Sequence, residues 1–364
     1  MSDLRGAFEV PPGGPYLLAH SVGALPRAAR AGLETAVLAP WSGKGGDAWG
    51  DWLGAIDGFR DALAGLLGGT AADYCPQPNL SAGLFRLLSA LPPEGERREI
   101  LASDQSFASI GFALKGLEAL GFRLRLLTVD PTAVETWAEA IGPQTAAVVA
   151  MHVHSNSSAV GPIAEIAALA REAGAIAIVD VAQSAGVLPL NLPTLGVDGA
   201  IGSCVKWLCG GPGAGWLWVS PTLCARAKPI EIGWFSHVDP FEFDIRDFRY
   251  APDARRFWGG TPSVAPYALA AAAIGVIAGV GVEAVRAHNR ALIARVSERT
   301  NGRWFDPDRS GFGGTICIAA EGSNPSLTAI GAKFDRRGDQ LRLSFHVYNT
   351  ADEADRVAEA LARV

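Results

Sequence analysis

The chain has 364 residues, 49% of them hydrophobic and 19% charged, which gives a globular protein with ample core and excludes a disordered one. A formal charge of −6 argues against a broad nucleic-acid surface. Five cysteines without metal-type spacing point to reduced thiols in a cytosol, and Met1-Ser2-Asp3-Leu4-Arg5 lacks the apolar core of a signal peptide.

Residues 1–15 read as an arm rich in Pro and Gly, followed by Tyr16-Leu17-Leu18-Ala19-His20-Ser21-Val22-Gly23. Apolar periodicity predicts helices over 27–37 and 52–67. Between them, Trp41-Ser42-Gly43-Lys44-Gly45-Gly46-Asp47-Ala48-Trp49 is too rich in glycine for a helix and is expected to form a functional loop. A strand over 71–75 feeds Pro76-Gln77-Pro78-Asn79-Leu80-Ser81, where Asn79 or Ser81 caps a helix running to about Leu91. The free N–H groups of such a helix start also suit a phosphate. Strands over 100–103, 123–129 and 146–151 alternate with helices over 109–120, 131–141 and 162–173, a rhythm that predicts a mainly parallel sheet. His152 and His154 have no acid or cysteine companions at ligand spacing, so no metal is expected.

A strand is expected over 216–219. Residues 267–282 are uncharged, short for a membrane span and interrupted by Gly275, Gly279 and Gly281. They predict a buried helix, a glycine turn and then an amphipathic helix. The remainder reads as a strand over 314–319, a helix over 326–332, a strand over 340–345 and a closing helix over 351–363. No break in composition marks a boundary. The division is placed near 262–266, giving a large domain over 16–262 and a small C-terminal one over 263–364.

The chain is organised around one stretch. Ala175-Ile176-Ala177-Ile178-Val179 reads as a buried parallel strand ending on Asp180. A second short run, Gly199-Ala200-Ile201-Gly202-Ser203, precedes Lys206 and the glycine-rich Gly210-Gly211-Pro212-Gly213-Ala214-Gly215. Ligands of open α/β sheets sit beyond the carboxyl ends of the strands, so Asp180 and Lys206 can face one pocket. An acid and a lysine in those places suit pyridoxal 5′-phosphate. That cofactor needs an amine for its Schiff base and a carboxylate that keeps the pyridine nitrogen protonated. Gln183 can then reach the phenolic oxygen and Ser203 the phosphate.

Asp180-Val181-Ala182-Gln183, Gly196-Val197-Asp198, Ser203-Cys204-Val205-Lys206 and Gly211-Pro212-Gly213 together resemble the fold-type-I aminotransferase class V family, with Lys206-Trp207-Leu208-Cys209-Gly210-Gly211 most like kynureninase. The resemblance implies an α/β fold. Its large domain holds a mainly parallel seven-stranded-type sheet flanked by helices, with a small C-terminal α+β domain beside it. It also implies a cytoplasmic homodimer with its active site at the subunit interface, acting on a small amino acid. Lys206 and Asp180 become the catalytic pair. The Leu80 backbone and Ser81 hydroxyl hold the cofactor phosphate, Phe107 stacks on the pyridine face, and Ser155 approaches the ring oxygen. His20 and Ser21 lie in the substrate-approach loop, where His20 departs from the family's Asn.

Cysteine desulfurases carry a His where this chain has Phe107, and kynureninases continue Phe-Pro-(Ser/Thr)-Asp where it has Phe107-Ala108-Ser109-Ile110. Gly233-Trp234-Phe235-Ser236-His237 and Phe257-Trp258-Gly259-Gly260-Thr261 resemble loops that reach across the dimer, so Trp234 and Thr261 are implied as contacts to the partner's cofactor. Leu341-Arg342-Leu343-Ser344-Phe345-His346-Val347-Tyr348-Asn349-Thr350 matches the pattern Arg-x-Ser-x-x-x-Tyr-Asn-Thr, in which the arginine grips the substrate α-carboxylate. The implied chemistry is cleavage at the β-carbon, hydrolytic or as C–S or C–X elimination, with transamination served by the same constellation.

Overall fold

The computed structural model describes residues 4–128, 130–303 and 311–363. In chain order the strands are β1 Phe8–Glu9, β2 Leu25–Pro26, β3 Tyr74–Gln77, β4 Glu99–Ser103, β5 Arg123–Leu127, β6 Thr145–Met151, β7 Ile176–Asp180, β8 Gly199–Ser203, β9 Gly215–Val219, β10 Thr315–Ala319, β11 Asp335–Arg337 and β12 Gln340–Ser344. The α-helices are α1 Arg27–Leu33, α2 Ala39–Lys44, α3 Trp49–Leu67, α4 Leu80–Ser89, α5 Ala108–Gly116, α6 Val134–Ala140, α7 Ile163–Glu172, α8 Pro221–Arg226, α9 Ala265–Val280, α10 Val282–Arg299, α11 Ser323–Ala329 and α12 Ala351–Ala362.

Seven strands form the main sheet in the order β3-β9-β8-β7-β6-β4-β5. Its centre is parallel, and β9 runs antiparallel to both of its neighbours. The central strands are short and almost wholly apolar because helices cover both faces. Ile178, Val179, Ala200, Ile201, Trp216 and Leu217 are all essentially inaccessible to solvent. The crossover helices return each parallel strand in the same direction, which stacks the carboxyl ends of β6, β7 and β8 along one edge. A second sheet, β10-β12-β11, is antiparallel and carries its own core with α10 and α12.

The expected strand over 71–75 splits. Ala71–Asp73 is a 3-10 turn closed by a Thr70–Asp73 capping box, and β3 starts at Tyr74. The stretch 41–49 is not a loop. Pro40 lies in the first turn of α2, which starts at Ala39, a 3-10 turn follows, and α3 begins at Trp49. Pro is preorganised for a first helical turn. Trp41 and Trp49 then set their rings edge-on to Trp52, which ties the segment down despite its glycines. The expected helix over 27–37 is α1 followed by a π-helical turn over Glu34–Leu38. The C-terminal helix expected over 326–332 begins three residues earlier, at Ser323. Of the strand expected over 123–129, β5 covers Arg123–Leu127, and Val129 lies outside the described residues.

Among the described residues no single helix is long and apolar enough to cross a membrane. The pair α9 and α10 reaches that length and composition only together, and it bends by 75° at Gly281. Tyr267, Ala270 and Ile274 of α9 belong to the core of the main sheet, whereas Leu292, Ile293 and Val296 of α10 belong to that of the small sheet. We propose on this ground that the two domains divide at Gly281 rather than near 262–266. The N-terminal segment crosses over. Leu17 exchanges backbone hydrogen bonds with Lys333 and Ser344 of the small sheet, and Gly23 donates to the Val205 carbonyl beside Lys206. The residues between them, His20 and Ser21, are thereby held where the two sheets meet.

Candidate active site

A cavity of about 530 Å³ opens at the carboxyl ends of β7 and β8, facing the small sheet. It gathers His20, Ser21, Leu80, Ser81, Phe107, Ser155, Asp180, Gln183, Ser203, Lys206 and Arg342, residues drawn from across the whole chain. Trp234 and Thr261 do not join them. Trp234 packs among Trp49, Phe235, Phe241 and Phe243, and Thr261 is exposed.

Asp180 closes β7 and is buried. The Ala182 N–H donates to its Oδ1 at 2.8 Å, and among the described residues its Oδ2 has no hydrogen-bond partner. Burial pushes the Asp180 carboxyl up, and the positive charge of Lys206 pulls it back. Burial pushes the Lys206 amine down, against the pull of Asp180. A buried lysine with a lowered pKa is a ready nucleophile. Gly23 lets the approach loop close over this lysine, because a Cβ at Gly23 would run into the Lys206 carbonyl oxygen.

The phosphate end is set by α4. Asn79 caps it, its Oδ1 accepting from Ala82 N at 2.9 Å. The backbone N–H groups of Leu80 and Ser81, in the first turn, are left to face the cavity. Gly215 makes this approach possible. A Cβ there would sit 2.7 Å from Asn79 Cα, so a glycine lets β9 pass directly under the helix start. Phe107 covers the opposite side. Its ring is part-exposed to the cavity, with Lys206 Nζ 5.7 Å from the ring centroid. Gln183 donates to the His20 carbonyl at 3.1 Å and accepts from the Trp207 indole at 3.4 Å, which holds its amide beside Asp180.

The small-sheet wall is built differently. Arg342 is almost fully buried. Its Nε donates to Asp335 Oδ1 at 2.8 Å, its Nη2 to Asp335 Oδ2, and its Nη1 to the Ser155 carbonyl at 2.9 Å. The fork expected to grip a substrate carboxylate is thus engaged by a carboxylate of the protein. The reason is register: β11 pairs with β12 so that Asp335 stands directly opposite Arg342. His20 flanks the same acid, with Nε2 3.1 Å from Asp335 Oδ1 and Nδ1 2.6 Å from Ser344 Oγ. Burial pushes Asp335 up, but His20 and Arg342 outweigh it and hold the carboxyl far below its usual range. Burial lowers His20 despite this acid.

Asp335 and Arg337 were not among the residues expected at the site. Both sit on a strand of three polar residues, which no apolar pattern reveals. The signal was the two-residue Gly338-Asp339 between Arg337 and Gln340, a hairpin signature, with Gly338 at φ +62°.

The donor set fits a phosphorylated pyridine aldehyde. It offers N–H groups at a helix start, an amine of lowered pKa, a carboxylate oxygen of the buried Asp180 left open to the cavity and an aromatic face, all around one cavity. Comparison with known proteins agrees. The aminotransferase class-V profile matches residues 87–303. A kynureninase from Pseudomonas fluorescens is 32% identical over 305 residues, covering 80% of this chain and 72% of that one.

The chain belongs to the aminotransferase class-V family.

It is therefore an enzyme, and its cofactor is pyridoxal 5′-phosphate. Among solved structures, an apo cysteine desulfurase from Thermococcus onnurineus NA1 superposes with a TM-score of 0.85 at 19% identity, covering 100% of this chain and 97% of the other. A C-DES variant carrying glycine covalently linked to its PLP cofactor superposes at 0.87, with 22% identity and 98% of each chain covered. At these identities the likeness speaks for the fold. Within the family, this chain pairs kynureninase-like loops with a cavity that no cysteine lines. Four of the five thiols are buried, and burial pushes the fifth, Cys317, up to about 11.

Proposed function

We propose that this class-V enzyme cleaves a small α-amino acid at the β-carbon, by hydrolysis or by C–S or C–X elimination, as a cytoplasmic homodimer. The observation that carries the reading is the cavity itself. It sets Asp180, Lys206 and Phe107 on one wall and arginines on the other, in a chain 32% identical to a kynureninase over most of its length. When bound, pyridoxal 5′-phosphate supplies an electron sink conjugated to the amine of the amino acid. Asp180, through its free Oδ2, keeps the ring nitrogen protonated. Lys206 would take and return the proton at the α-carbon, a role that the lowering of its pKa by burial favours. Phe107 would cover one ring face. The Leu80 and Ser81 N–H groups, with the hydroxyls of Ser81 and Ser203, would hold the phosphate, and Gln183 and Ser155 would address the ring oxygen. The arginine wall orients the carboxylate.

Three features support the homodimer. Residues 241–249 are exposed throughout, with Phe241, Phe243, Ile245 and Phe248 bare to solvent, an apolar patch of the kind that partners cover. Trp234 lies at its root. Thr261 faces outward, where a partner's phosphate site could meet it. The thiols, none of them in a disulfide, support a reducing compartment.

The test is to incubate holoenzyme with a panel of α-amino acids, L-kynurenine included, and to identify products by mass spectrometry. A product shortened at the β-carbon is expected. A 2-oxo acid with its side chain intact would show transamination and overturn the proposal.

A further inference from the structure

Asp335 meets Arg342 along one edge of the guanidinium only. Nε donates to Asp335 Oδ1 at 2.8 Å and Nη2 donates to Asp335 Oδ2, a side-on pair. Nη1 donates to the Ser155 carbonyl at 2.9 Å. Each terminal nitrogen of a guanidinium carries a pair of N–H groups, so among the described residues one N–H on Nη1 and one on Nη2 have no acceptor. Two donors on neighbouring nitrogens match a carboxylate, and Arg342 lines the cavity. Asp335 is held in turn. The pairing of β11 with β12 sets it opposite Arg342, and His20 of the approach loop brings Nε2 to 3.1 Å from its Oδ1. His20 is fixed from both ends. Its Nδ1 lies 2.6 Å from Ser344 Oγ, itself 3.0 Å from Thr315 Oγ1, and its carbonyl accepts from Gln183. An unheld arginine side chain samples many rotamers, and ordering it on binding costs affinity. Here the ordering is complete before any ligand arrives.

We propose that Asp335 is a positioning residue for substrate recognition: it holds the side-on edge of Arg342 so that the Nη1–Nη2 edge is presented, already oriented, to the α-carboxylate of the amino acid. This rests on the reading of the cavity as the site of an amino-acid enzyme with Arg342 as its carboxylate arginine. His20 steadies Asp335 from the approach loop. The cofactor phosphate has its own donors at the start of α4 and on Ser81 and Ser203, on the other wall. Asp335 also carries a charge, which repels a second carboxylate nearby. Position and charge therefore predict opposite results when Asp335 is neutralised. If position governs, carboxylate binding weakens; if charge governs, it strengthens.

The test uses holoenzyme and two probes with the same side chain, L-alanine and L-alaninamide. Dissociation constants are read from the change in the visible cofactor band, in the parent, Asp335→Asn and Asp335→Glu. The parent should prefer L-alanine. Asp335→Asn offers one acceptor oxygen in place of a carboxylate's pair, and it should lose that preference by roughly tenfold to a hundredfold. The loss should fall on L-alanine, with the affinity for L-alaninamide that of the parent. Asp335→Glu keeps the charge but moves it by a methylene, and it should lose part of the preference. It carries the test alone if Asp335→Asn does not fold. A preference unchanged in either variant, or raised in Asp335→Asn, would overturn the positioning role. Equal weakening of both probes would make Asp335 merely structural and overturn it too. A parent that binds both probes alike would remove the carboxylate from Arg342. A parent whose band responds to neither would overturn the amino-acid reading of the cavity, and this inference with it.

Discussion

On the main-sheet wall of the cavity, Asp180 and Lys206 stand singly at strand ends, each perturbed first by burial and only then by the other. On the small-sheet wall, Asp335, His20, Arg342 and Ser344 are knitted into one network, with Arg337 left over at its edge. The first arrangement keeps groups reactive, because among the described residues the Lys206 amine and Asp180 Oδ2 have no hydrogen-bond partner. The second keeps groups in place, because nearly everything is satisfied. Chemistry and positioning are in this way assigned to different sheets, and the substrate is expected between them.

The sharpest way to break the comparison is Lys206→Ala. It should lower turnover by roughly 10³-fold or more while circular dichroism stays that of the parent, since this wall's charges do not hold the fold. A variant that keeps a tenth of its activity would remove Lys206 from the chemistry. Asp180→Ala comes next. We expect kcat to fall roughly 10²–10³-fold with the cofactor largely retained, because ring protonation acts on the transition state. Proportionate loss of cofactor instead would make Asp180 a binding group.

On the other wall the expected damage is to stability. Asp335→Ala strands the buried Arg342 charge and should cost about 3 kcal/mol in urea unfolding. Arg337→Ala, at the open edge, should stay within about 0.5 kcal/mol of the parent. Equal costs would erase the distinction between network and edge.

Much of the main-sheet wall was legible in the sequence. A short apolar run ending on an acid, then a lysine and glycines, needs only strand-end geometry to become a pocket, and Asn79 before an apolar period is a plain helix start. The small-sheet wall was legible only in part. Arg342 was found through its motif, but its partner depends on which residue a hairpin sets opposite. Asp335-Arg336-Arg337 has no apolar alternation to announce that strand. The stretch 41–49 misled for another reason: its glycines argue for a loop, and three tertiary ring contacts overrule them. Trp234 is half-buried and its neighbours Phe235, Ser236 and His237 are buried, whereas the exposed stretch is 241–249.

A smaller effect sharpens the comparison by pH. His152 follows β6, donates its backbone N–H to the Asp180 carbonyl and has its pKa lowered to about 4 by burial. Its folded value lies below the unfolded one near 6.5, so the unfolded state binds the extra proton. Stability from this group is complete above about pH 6.5 and declines as pH falls toward 4, by about 2 kcal/mol at pH 5. Urea midpoints of the parent and His152→Gln should therefore converge between pH 7 and pH 5. A constant gap would mean that His152 binds its proton equally in the folded and unfolded states.

The central claim is that this cavity holds pyridoxal 5′-phosphate on Lys206. The chain has five lysines, Lys44, Lys115, Lys206, Lys228 and Lys333, so the assignment can be read directly. Purified holoenzyme is reduced with borohydride, which fixes the cofactor to whichever amine holds it, then digested and mapped by mass spectrometry. The account predicts the added mass on the peptide containing Lys206 and its absence in Lys206→Ala. The same mass on another lysine, or on none, would contradict it.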